Sequence, residues 1–262
     1  MRSMNGLSVV VTGGGSGIGE GVARRFVNGG ARVTICGRRE EKLRAVADDL
    51  GSACTWLVAD VTSVTDRAAI IDTAVRHGDA IDVLISNAGN MWRRPIEEWT
   101  DEGLASILAT NVIGGMMLTQ AALPHLIAAR GAVIFVGSIY TKRAYPGAAP
   151  YAISKGAVET LTRVLAAELG PRGVRVNAVR PGAVPTEINE RSGDFTHDEA
   201  MARLESMATH HALGRIGTTE EIAECVEYLS LADWTTGAVV SVDGGLSLGI
   251  ITEKPNPAKE EN

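Results

Sequence analysis

The chain has 262 residues, of which 45% are hydrophobic and 21% are charged, a composition that excludes a mainly disordered protein. Its 25 lysines and arginines against 31 aspartates and glutamates give a net charge of −6, which argues against nucleic-acid binding because phosphate contact needs clustered cations. The three scattered cysteines exclude a disulfide framework, and the apolar run Val9 to Val11 is too short for a leader or a membrane span. We expect a cytoplasmic protein with no membrane association and reduced thiols.

Short apolar segments alternate along the chain with longer helical segments. The predicted strands are Leu7–Thr12, Ala31–Cys36, Cys54–Ala59, Ile81–Ser86, Ala132–Gly137, Val174–Val179 and Ala238–Val242. The predicted helices are Gly17–Asn28, Glu40–Leu50, Ser63–His77, one or two within Asp101–Ala129, Pro150–Gly170 and Thr219–Ser230. Strands that are apolar throughout are typical of a parallel sheet covered on both faces. We predict a doubly wound, Rossmann-like α/β fold with about seven parallel strands, in a single domain spanning 1–252.

Two further segments complete the predicted organisation. The polar stretch Pro185–Leu213 follows the sixth strand without a strand pattern of its own, which makes it a candidate lid. Its histidines, His197, His210 and His211, lack the cysteine or carboxylate spacing of a metal site, so we expect solvated lid residues and no metal. The charged tail 253–262 contains proline and is predicted to be disordered.

A glycine-rich loop, TGGGSGIG over Thr12–Gly19, follows the first strand and leads into the first helix. Glycines let the backbone turn sharply and approach a pyrophosphate, and a helix N-terminus offers free N–H groups and positive dipole charge. The loop indicates a dinucleotide site, and a purely structural glycine-rich turn is the alternative.

Two arginines follow the second strand, where a carboxylate would bind the ribose 2′-hydroxyl of NAD. Arg38 lies nineteen residues after Gly19, and no carboxylate stands between that strand and Glu40. Guanidinium groups suit a 2′-phosphate, so Arg38 and Arg39 favour NADP(H) over NAD(H). The alternative is a solvated helix start, with these arginines paired to Glu40 or Glu41.

Tyr151 and Lys155 lie four residues apart in the predicted helix Pro150–Gly170, which puts them on one helix face. A neighbouring ammonium favours the phenolate and lowers the pKa of a tyrosine from its reference of about 10. Such a tyrosine is a general acid or base near neutral pH. An exposed tyrosine–lysine pair is the alternative when this spacing stands alone.

The spacing does not stand alone, because several other motifs occur in order. They are TGGGSGIG at Thr12–Gly19, ADV at 59–61, SNAG at 86–89, NV at 111–112, GS at 137–138, YAISK at Tyr151–Lys155, RPG at 180–182 with Thr186 four residues later, and VDGG at 242–245. Over residues 5–249 the chain resembles the short-chain dehydrogenase/reductase family, and within it the group that includes 3-oxoacyl-acyl-carrier-protein reductases. Ser86 is a departure, since the family often has asparagine there.

The resemblance implies four catalytic residues. Tyr151 would protonate the carbonyl oxygen during hydride transfer, and Ser138 would hydrogen-bond the same oxygen. Lys155 would bind the nicotinamide ribose and lower the tyrosine pKa, and Asn111 would hold a water that links Lys155 to solvent. Without the resemblance, Ser138 reads as a turn cap and Asn111 as a polar helix residue bonded to backbone.

The resemblance also implies the contacts of the cofactor, which run along the carboxyl edge of the sheet. The implied cofactor-binding residues are Gly13, Gly15, Ser16, Gly17, Ile18, Gly19, Arg38, Arg39, Asp60, Val61, Asn87, Ala88, Gly89, Lys155, Pro181, Gly182, Val184 and Thr186. Asp60 and Val61 would touch the adenine, whereas Val184 and Thr186 would hold the carboxamide and so select the nicotinamide face.

Weaker features surround these motifs. Arg93, Arg94, Lys142 and Arg143 are candidate rim residues that would favour an anionic substrate, with surface charge or subunit contact as the alternative. Met91, Trp92, Tyr140 and Tyr145 are candidate apolar walls, with ordinary packing as the alternative.

We therefore predict an NADP(H)-dependent oxidoreductase that interconverts a ketone and a secondary alcohol of small size. The alternatives are an NAD-dependent alcohol, sugar or steroid dehydrogenase, an isomerase or dehydratase, and a non-catalytic cofactor-binding regulator. By resemblance, the last helix and strand form a subunit interface, which implies a homotetramer.

Overall fold

Seven strands form one sheet in the computed structural model, which describes residues 2–188, 190 and 195–249. The strands are β1 Ser8–Thr12, β2 Arg32–Gly37, β3 Cys54–Val58, β4 Val83–Ser86, β5 Ala132–Val136, β6 Arg175–Pro181 and β7 Val239–Val242. They pair in parallel in the order β3-β2-β1-β4-β5-β6-β7. The predicted fold class is confirmed, and the predicted disorder of 253–262 concerns residues outside those described.

Helices cover both faces of the sheet. They are α1 Gly17–Asn28, α2 Glu40–Leu50, α3 Val64–Gly78, α4 Asp101–Leu108, α5 Gly115–Ala129, α6 Ala149–Leu169, α7 His197–Ser206 and α8 Thr219–Leu231. One hydrophobic core joins the sheet to α1, α2 and α8, and the other joins it to α3, α5 and α6. Because both faces are covered, β1 and β5 are buried along their whole length, which explains their continuous apolar sequence.

The segment Asp101–Ala129 contains two helices, α4 and α5, joined by the π-helical segment Ala109–Gly114. Within the described residues this run is the one helical stretch with the length and hydropathy of a membrane span. Ile107, Leu118 and Leu126 in this run are fully buried, whereas Ile113 and Met116 are exposed at 53% and 44%.

The stretch after β6 contains a helix that the sequence prediction did not include. α7 begins with a capping box, in which the Thr196 hydroxyl accepts from the Glu199 backbone and the Glu199 carboxylate accepts from the Thr196 backbone. This motif is visible in the sequence as threonine followed three residues later by glutamate. The helix places Arg203, Leu204 and Met207 beside the carboxyl edge of the sheet.

Candidate active site

The glycine loop leaves β1 at its carboxyl end and turns into α1. Gly13 and Gly17 have φ values of 66° and 57°, in the left-handed region where side chains are disfavoured. A Cβ on Gly19 would lie 2.3 Å from the carbonyl oxygen of Gly13. Any residue other than glycine at position 19 would therefore collide with the backbone of the loop. Glycine at these positions is therefore required by the loop geometry.

The N-terminus of α1 is left open toward the cleft. Ser16 occupies the N-cap position but makes no side-chain cap bond, and its hydroxyl accepts a hydrogen bond of 2.9 Å from Arg39 instead. The first N–H groups of a helix have no partner within it, so they can receive an anion. The loop and helix start fit a pyrophosphate group on these grounds.

Asn87, at the end of β4, braces this loop from the neighbouring strand. Its Nδ2 donates to the carbonyl oxygens of Thr12, at 2.9 Å, and Gly13, at 3.2 Å. The backbone N–H groups of Asn87 and Ala88 in turn donate to the Thr12 hydroxyl. The ends of β1 and β4 are thus tied together where the strand order reverses, which is where open α/β sheets bind ligands.

One cleft at this edge brings together nearly all of the predicted site residues. Gly19 and Asn111 are the predicted residues that do not line it, whereas the other cofactor-binding and catalytic candidates do. Gly19 lies beneath the loop that it allows to close. Asn111 lies one layer behind the cleft wall.

Asn111 joins three elements through one buried amide. Its Oδ1 accepts from the N–H of Asn90 at 2.8 Å, and its Nδ2 donates to the Asn90 carbonyl and to Ser154 Oγ, each at 2.9 Å. Ser154 in turn donates to the Tyr151 carbonyl at 2.7 Å. The amide is bonded to backbone, as the alternative reading held, and it fixes the loop after β4 against α6. The water-holding role stays a prediction.

Tyr151 lies in the first turn of α6, with Lys155 one turn later, and both are buried at 7% and 4% exposure. The Lys155 ammonium lies 5.6 Å from the centre of the Tyr151 ring and donates to the Val136 carbonyl at 2.7 Å. Burial lowers the pKa of Lys155 to about 8. A cation that is buried without a carboxylate beside it acts strongly on its neighbours, because little solvent screens it.

Ser138 follows β5 and faces the same cleft. Its hydroxyl accepts a hydrogen bond of 3.3 Å from the Tyr140 backbone and so caps the short 3-10 turn Ile139–Thr141. The cap holds the hydroxyl at the end of the strand. Ser138 is therefore both a turn cap and a cleft residue, and the two readings from the sequence are compatible.

The arginines after β2 have partners that the sequence did not suggest. Arg39 forms an ion pair of 2.7 Å with Glu187, and Lys42 reaches the same carboxylate at 3.0 Å. Arg38 is exposed and donates to Asn90 Oδ1 at 3.3 Å. Burial of the Glu187 carboxyl is outweighed by its hydrogen bonds with Arg39 and Lys42, which hold its pKa below the usual value. The expected alternative partners, Glu40 and Glu41, are not used among the described contacts.

The opposite end of the cleft is built from aromatic rings and arginines. The Tyr140 ring stacks on Tyr145 with centroids 4.2 Å apart and meets the Tyr151 ring edge-on at 5.1 Å. The Arg93 guanidinium lies 5.4 Å from the centre of the Tyr140 ring and donates to its hydroxyl. Arg203 of α7 lines the same cleft.

The candidate rim and wall residues divide into those that line the cleft and those that do not. Among the described lining residues are Met91, Arg93 and Tyr140, whereas Trp92, Arg94, Lys142, Arg143 and Tyr145 are not. Tyr145 lies behind Tyr140, and the Arg143 guanidinium donates to the Leu246 carbonyl. The residues missed from the sequence are Lys42, Asn90, Ser154, Glu187 and Arg203.

One histidine prediction is wrong. His211 is 1% exposed, not solvated, because its ring packs over the Gly244 turn and its Nδ1 lies 2.8 Å from the Met207 carbonyl. His197 is exposed and pairs with Glu190 at 3.0 Å. The described part of the chain contains no group of three potential metal ligands.

Comparison with known proteins gives matches over almost the whole chain. Residues 13–247 match the family described as "Enoyl-(Acyl carrier protein) reductase". The chain is 36% identical over 249 residues to the L-fucose dehydrogenase of Bos taurus, which covers 93% of this chain and 90% of that protein.

Solved structures give the same result. A short-chain dehydrogenase/reductase of unknown function from Caenorhabditis elegans, solved with cofactor, superposes with a TM-score of 0.89 at 29% identity, over 94% of this chain and 97% of that one. The 3-ketoacyl-(acyl-carrier-protein) reductase of Brucella melitensis, complexed with NADH, gives 0.84 at 30% identity, over 94% of this chain and 100% of the other.

Proposed function

The chain belongs to the short-chain dehydrogenase/reductase family, and we propose that within this family it is an NADP(H)-dependent oxidoreductase that interconverts a small ketone and its secondary alcohol. It is an oxidoreductase that acts on CH–OH groups with a nicotinamide cofactor. The observation that carries the proposal is the buried pair of Tyr151 and Lys155 in a cleft that begins at the open N-terminus of α1.

A bound nicotinamide cofactor supplies the hydride, so the protein has to orient the reactants and stabilise the charge that develops on the carbonyl oxygen. Tyr151 donates its phenolic proton to that oxygen in reduction and takes it back in oxidation. Ser138 donates a second hydrogen bond to the same oxygen. Both side chains line the cleft and are buried, at 7% exposure each, so little water competes with them.

Lys155 makes this proton transfer feasible near neutral pH. Its ammonium favours the phenolate of Tyr151, because the two groups share one face of α6 and both side chains are buried. Gly89 keeps the approach to the ammonium open, since a Cβ there would lie 3.6 Å from Lys155 Nζ and 3.3 Å from Asn111 Oδ1. Ribose hydroxyls would bind at this ammonium.

NADP(H) is favoured by three cations at the other end of the cleft. Arg38, Arg39 and Lys42 line it, and a 2′-phosphate is an acceptor that matches guanidinium geometry. The ion pairs of Glu187 support the second candidate, an NAD-dependent dehydrogenase. Glu187 already pairs with Arg39 and Lys42, and its negative charge would repel a phosphate. The stretch 185–213 that carries Glu187 would act as the lid.

The test is consumption of NADPH against a panel of ketones, repeated with NADH and with Tyr151→Phe as the blank. Turnover with NADPH that vanishes in the variant is the expected result. Turnover with NADH alone would select the second candidate. Activity that survives in Tyr151→Phe would overturn the assignment of the general acid.

We also propose that the protein is a homotetramer and that it is located in the cytoplasm. Tyr228 and Trp234, beside the interface implied by resemblance, are exposed at 48% and 102% in the single chain. Cys36, Cys54 and Cys225 are free thiols, and burial raises their pKa values to about 12, 11 and 11. Light scattering after size exclusion would measure the mass of the assembly.

A further inference from the structure

Two arginines stand at the substrate end of the cleft without a counter-ion. Arg93, in the segment after β4, and Arg203, on α7, both line the cleft. Neither forms an ion pair with any residue that the structure describes, whereas Arg39 at the cofactor end is paired with Glu187. The acidic residues among the described lining, Asp60 and Glu187, belong to the predicted adenosine end. In a chain of net charge −6, this local excess of positive charge needs an explanation.

Arg93 is held in place but not satisfied. Its guanidinium lies over the Tyr140 ring and donates from Nη2 to the Tyr140 hydroxyl. Its Nε is buried and has no acceptor in the described part of the chain. A buried donor without an acceptor costs free energy, and an arginine presents its donors in a fork that matches a carboxylate. Because this Nε is shielded from solvent, a ligand carboxylate would bind the guanidinium charge from the cleft that Arg93 lines.

Arg203 is the second cation that lines the cleft. It is exposed on α7, and its guanidinium lies 5.2 Å from the centre of the Phe195 ring. Burial raises the pKa of the Tyr140 hydroxyl, while Arg93 and Arg203 both oppose that rise. Both guanidiniums line the cleft, and both favour negative charge at the Tyr140 hydroxyl.

That place is next to the proposed reaction centre. The Tyr140 ring meets the Tyr151 ring edge-on with centroids 5.1 Å apart, and the Arg93 guanidinium lies 5.4 Å from the centre of the same Tyr140 ring. A molecule whose ketone oxygen lies at Tyr151 and Ser138 would extend past Tyr140 toward Arg93. Contacts through the Tyr140 ring thus connect Arg93 with Tyr151.

We propose that the substrate is a keto acid, or the corresponding hydroxy acid, whose carboxylate binds to Arg93 with Arg203 as a second cation while its carbonyl lies at Tyr151. The inference rests on the proposed ketone reduction. It assigns Arg93 as the residue that selects the substrate class. Packing of the arginine on Tyr140 with no ligand role is the competing explanation, and it predicts no difference between charged and uncharged substrates.

The experiment measures kcat/KM with NADPH for oxo acids of increasing chain length, each paired with its methyl ester. The pairs differ in charge but not in the ketone. We expect the best acid to exceed its ester by about 10- to 100-fold, the range expected for hydrogen bonds to a charged group. Arg93→Gln should remove that preference by slowing the acid alone, and Arg203→Gln should reduce it less.

Arg94→Gln is the matched control, because Arg94 is the exposed neighbour and is not among the described lining residues. It should leave the acid-to-ester ratio as in the wild type. Arg93→Lys keeps the charge without the fork and should recover part of the ratio, which separates charge binding from packing on Tyr140. Equal rates for acids and esters, or equal ratios in Arg93→Gln and Arg94→Gln, would overturn the inference and leave the reductase proposal standing.

Calorimetric titration of the same oxo acids into the protein loaded with NADP⁺, which has no hydride to transfer to them, gives a second measurement that does not depend on turnover. Binding that is lost in Arg93→Gln and kept in Arg94→Gln supports the inference even if no ketone is reduced, a result that would count against the proposed function alone. Absence of carboxylate binding, or binding that is indifferent to Arg93, contradicts the inference.

Discussion

Helix α6 carries two buried charged groups one turn apart, and they have opposite surroundings. Glu159 receives two hydrogen bonds from the Arg180 guanidinium, of 2.8 Å and 2.7 Å, and one of 2.6 Å from the Thr141 hydroxyl. Lys155 has the neutral Val136 carbonyl at 2.7 Å, and no carboxylate among the described residues lies within ion-pair distance of it. Both side chains are close to fully buried, so the partners make the difference.

The contrast separates a structural charge from a functional one. Burial raises the pKa of Glu159, but the hydrogen bonds from Arg180 and Thr141 outweigh it and the net shift is downward, so the carboxylate stays ionised and neutralised. Burial of Lys155 has no such compensation, and its pKa falls to about 8. The satisfied pair of Glu159 and Arg180 holds α6 against β6, whereas Lys155 is the cation to which the proposed mechanism assigns Tyr151 and a bound ribose.

The largest effect is expected from removing the unsatisfied cation. Lys155→Met should lower kcat/KM by about 1000-fold, because general acid–base catalysis contributes about 100- to 10,000-fold and Tyr151 would lose the charge that supports it. The variant should keep the native far-ultraviolet circular dichroism spectrum. Activity within tenfold of the wild type would mean that Lys155 is not needed at the reaction centre.

Removing one member of the satisfied pair should affect stability rather than chemistry. Glu159→Gln should lower the free energy of unfolding by about 3 kcal/mol, at the low end for a broken buried pair, because Arg180 keeps hydrogen bonds to Thr141 and Ser241. Urea unfolding measures the loss, and kcat/KM per folded molecule should change less than about threefold. The double variant Glu159→Leu with Arg180→Met should regain most of the stability. A Glu159→Gln variant that is stable but inactive would reverse the roles assigned to the two turns of α6.

The roles of the charged groups on these two turns of α6 were not equally predictable from the sequence. Tyr151 and Lys155 are four residues apart, so local spacing reveals them, and the glycine loop is similarly local. Glu159 and Arg180 are joined across α6 and β6, and nothing in the local pattern around either residue indicates a pair. The layered α/β architecture was predictable for the first reason, because alternating apolar and helical segments indicate a parallel sheet covered by helices without knowledge of contacts.

The substrate end of the cleft was the hardest part of the site to predict from the sequence. Arg203 reaches the cleft because α7 begins at the Thr196 capping box and folds over the edge of the sheet, and the sequence prediction had no helix there. Glu187 and Arg39 are 148 positions apart in the sequence, so only the fold brings them together. The burial of His211 depends in the same way on the distant Gly244 turn.

The unsatisfied cation should also be visible in the pH dependence of stability. The folded pKa of Lys155, about 8, lies below its ordinary value of 10.5, so the unfolded chain binds more protons between these pH values. The wild type should therefore gain stability as pH rises from 8 to 10.5, and below pH 8 the whole cost of burial remains. Lys155→Met removes a cost of about 3 kcal/mol and a hydrogen bond worth about 1 kcal/mol, so it should be about 2 kcal/mol more stable at pH 7.

Urea unfolding of both proteins across this range measures the difference, which should shrink above pH 8 and disappear near pH 10. Val158→Ala, in the same helix but without a charge, should show a difference from the wild type that does not change with pH. A constant difference for Lys155→Met would mean that the lysine carries no unusual proton affinity in the folded protein.

The ion pair between Arg39 and Glu187 shares one property with each charged group of α6. Like Glu159 it has an ion-pair partner, and like Lys155 it lies in the proposed cofactor cleft. Both side chains are partly exposed, at 36% and 27%, so solvent screens the pair and its replacement by another anion costs little. Glu187→Gln removes the competing carboxylate from Arg39 and Lys42, and the ratio of kcat/KM for NADPH to that for NADH should rise by about three- to tenfold, equivalent to about 1 kcal/mol. Glu190→Gln, which removes a nearby carboxylate that pairs with His197, should leave the ratio unchanged. A ratio that falls in Glu187→Gln would mean that the pair orients Arg39 for the phosphate, and the comparison would then place Glu187 with the structural charges.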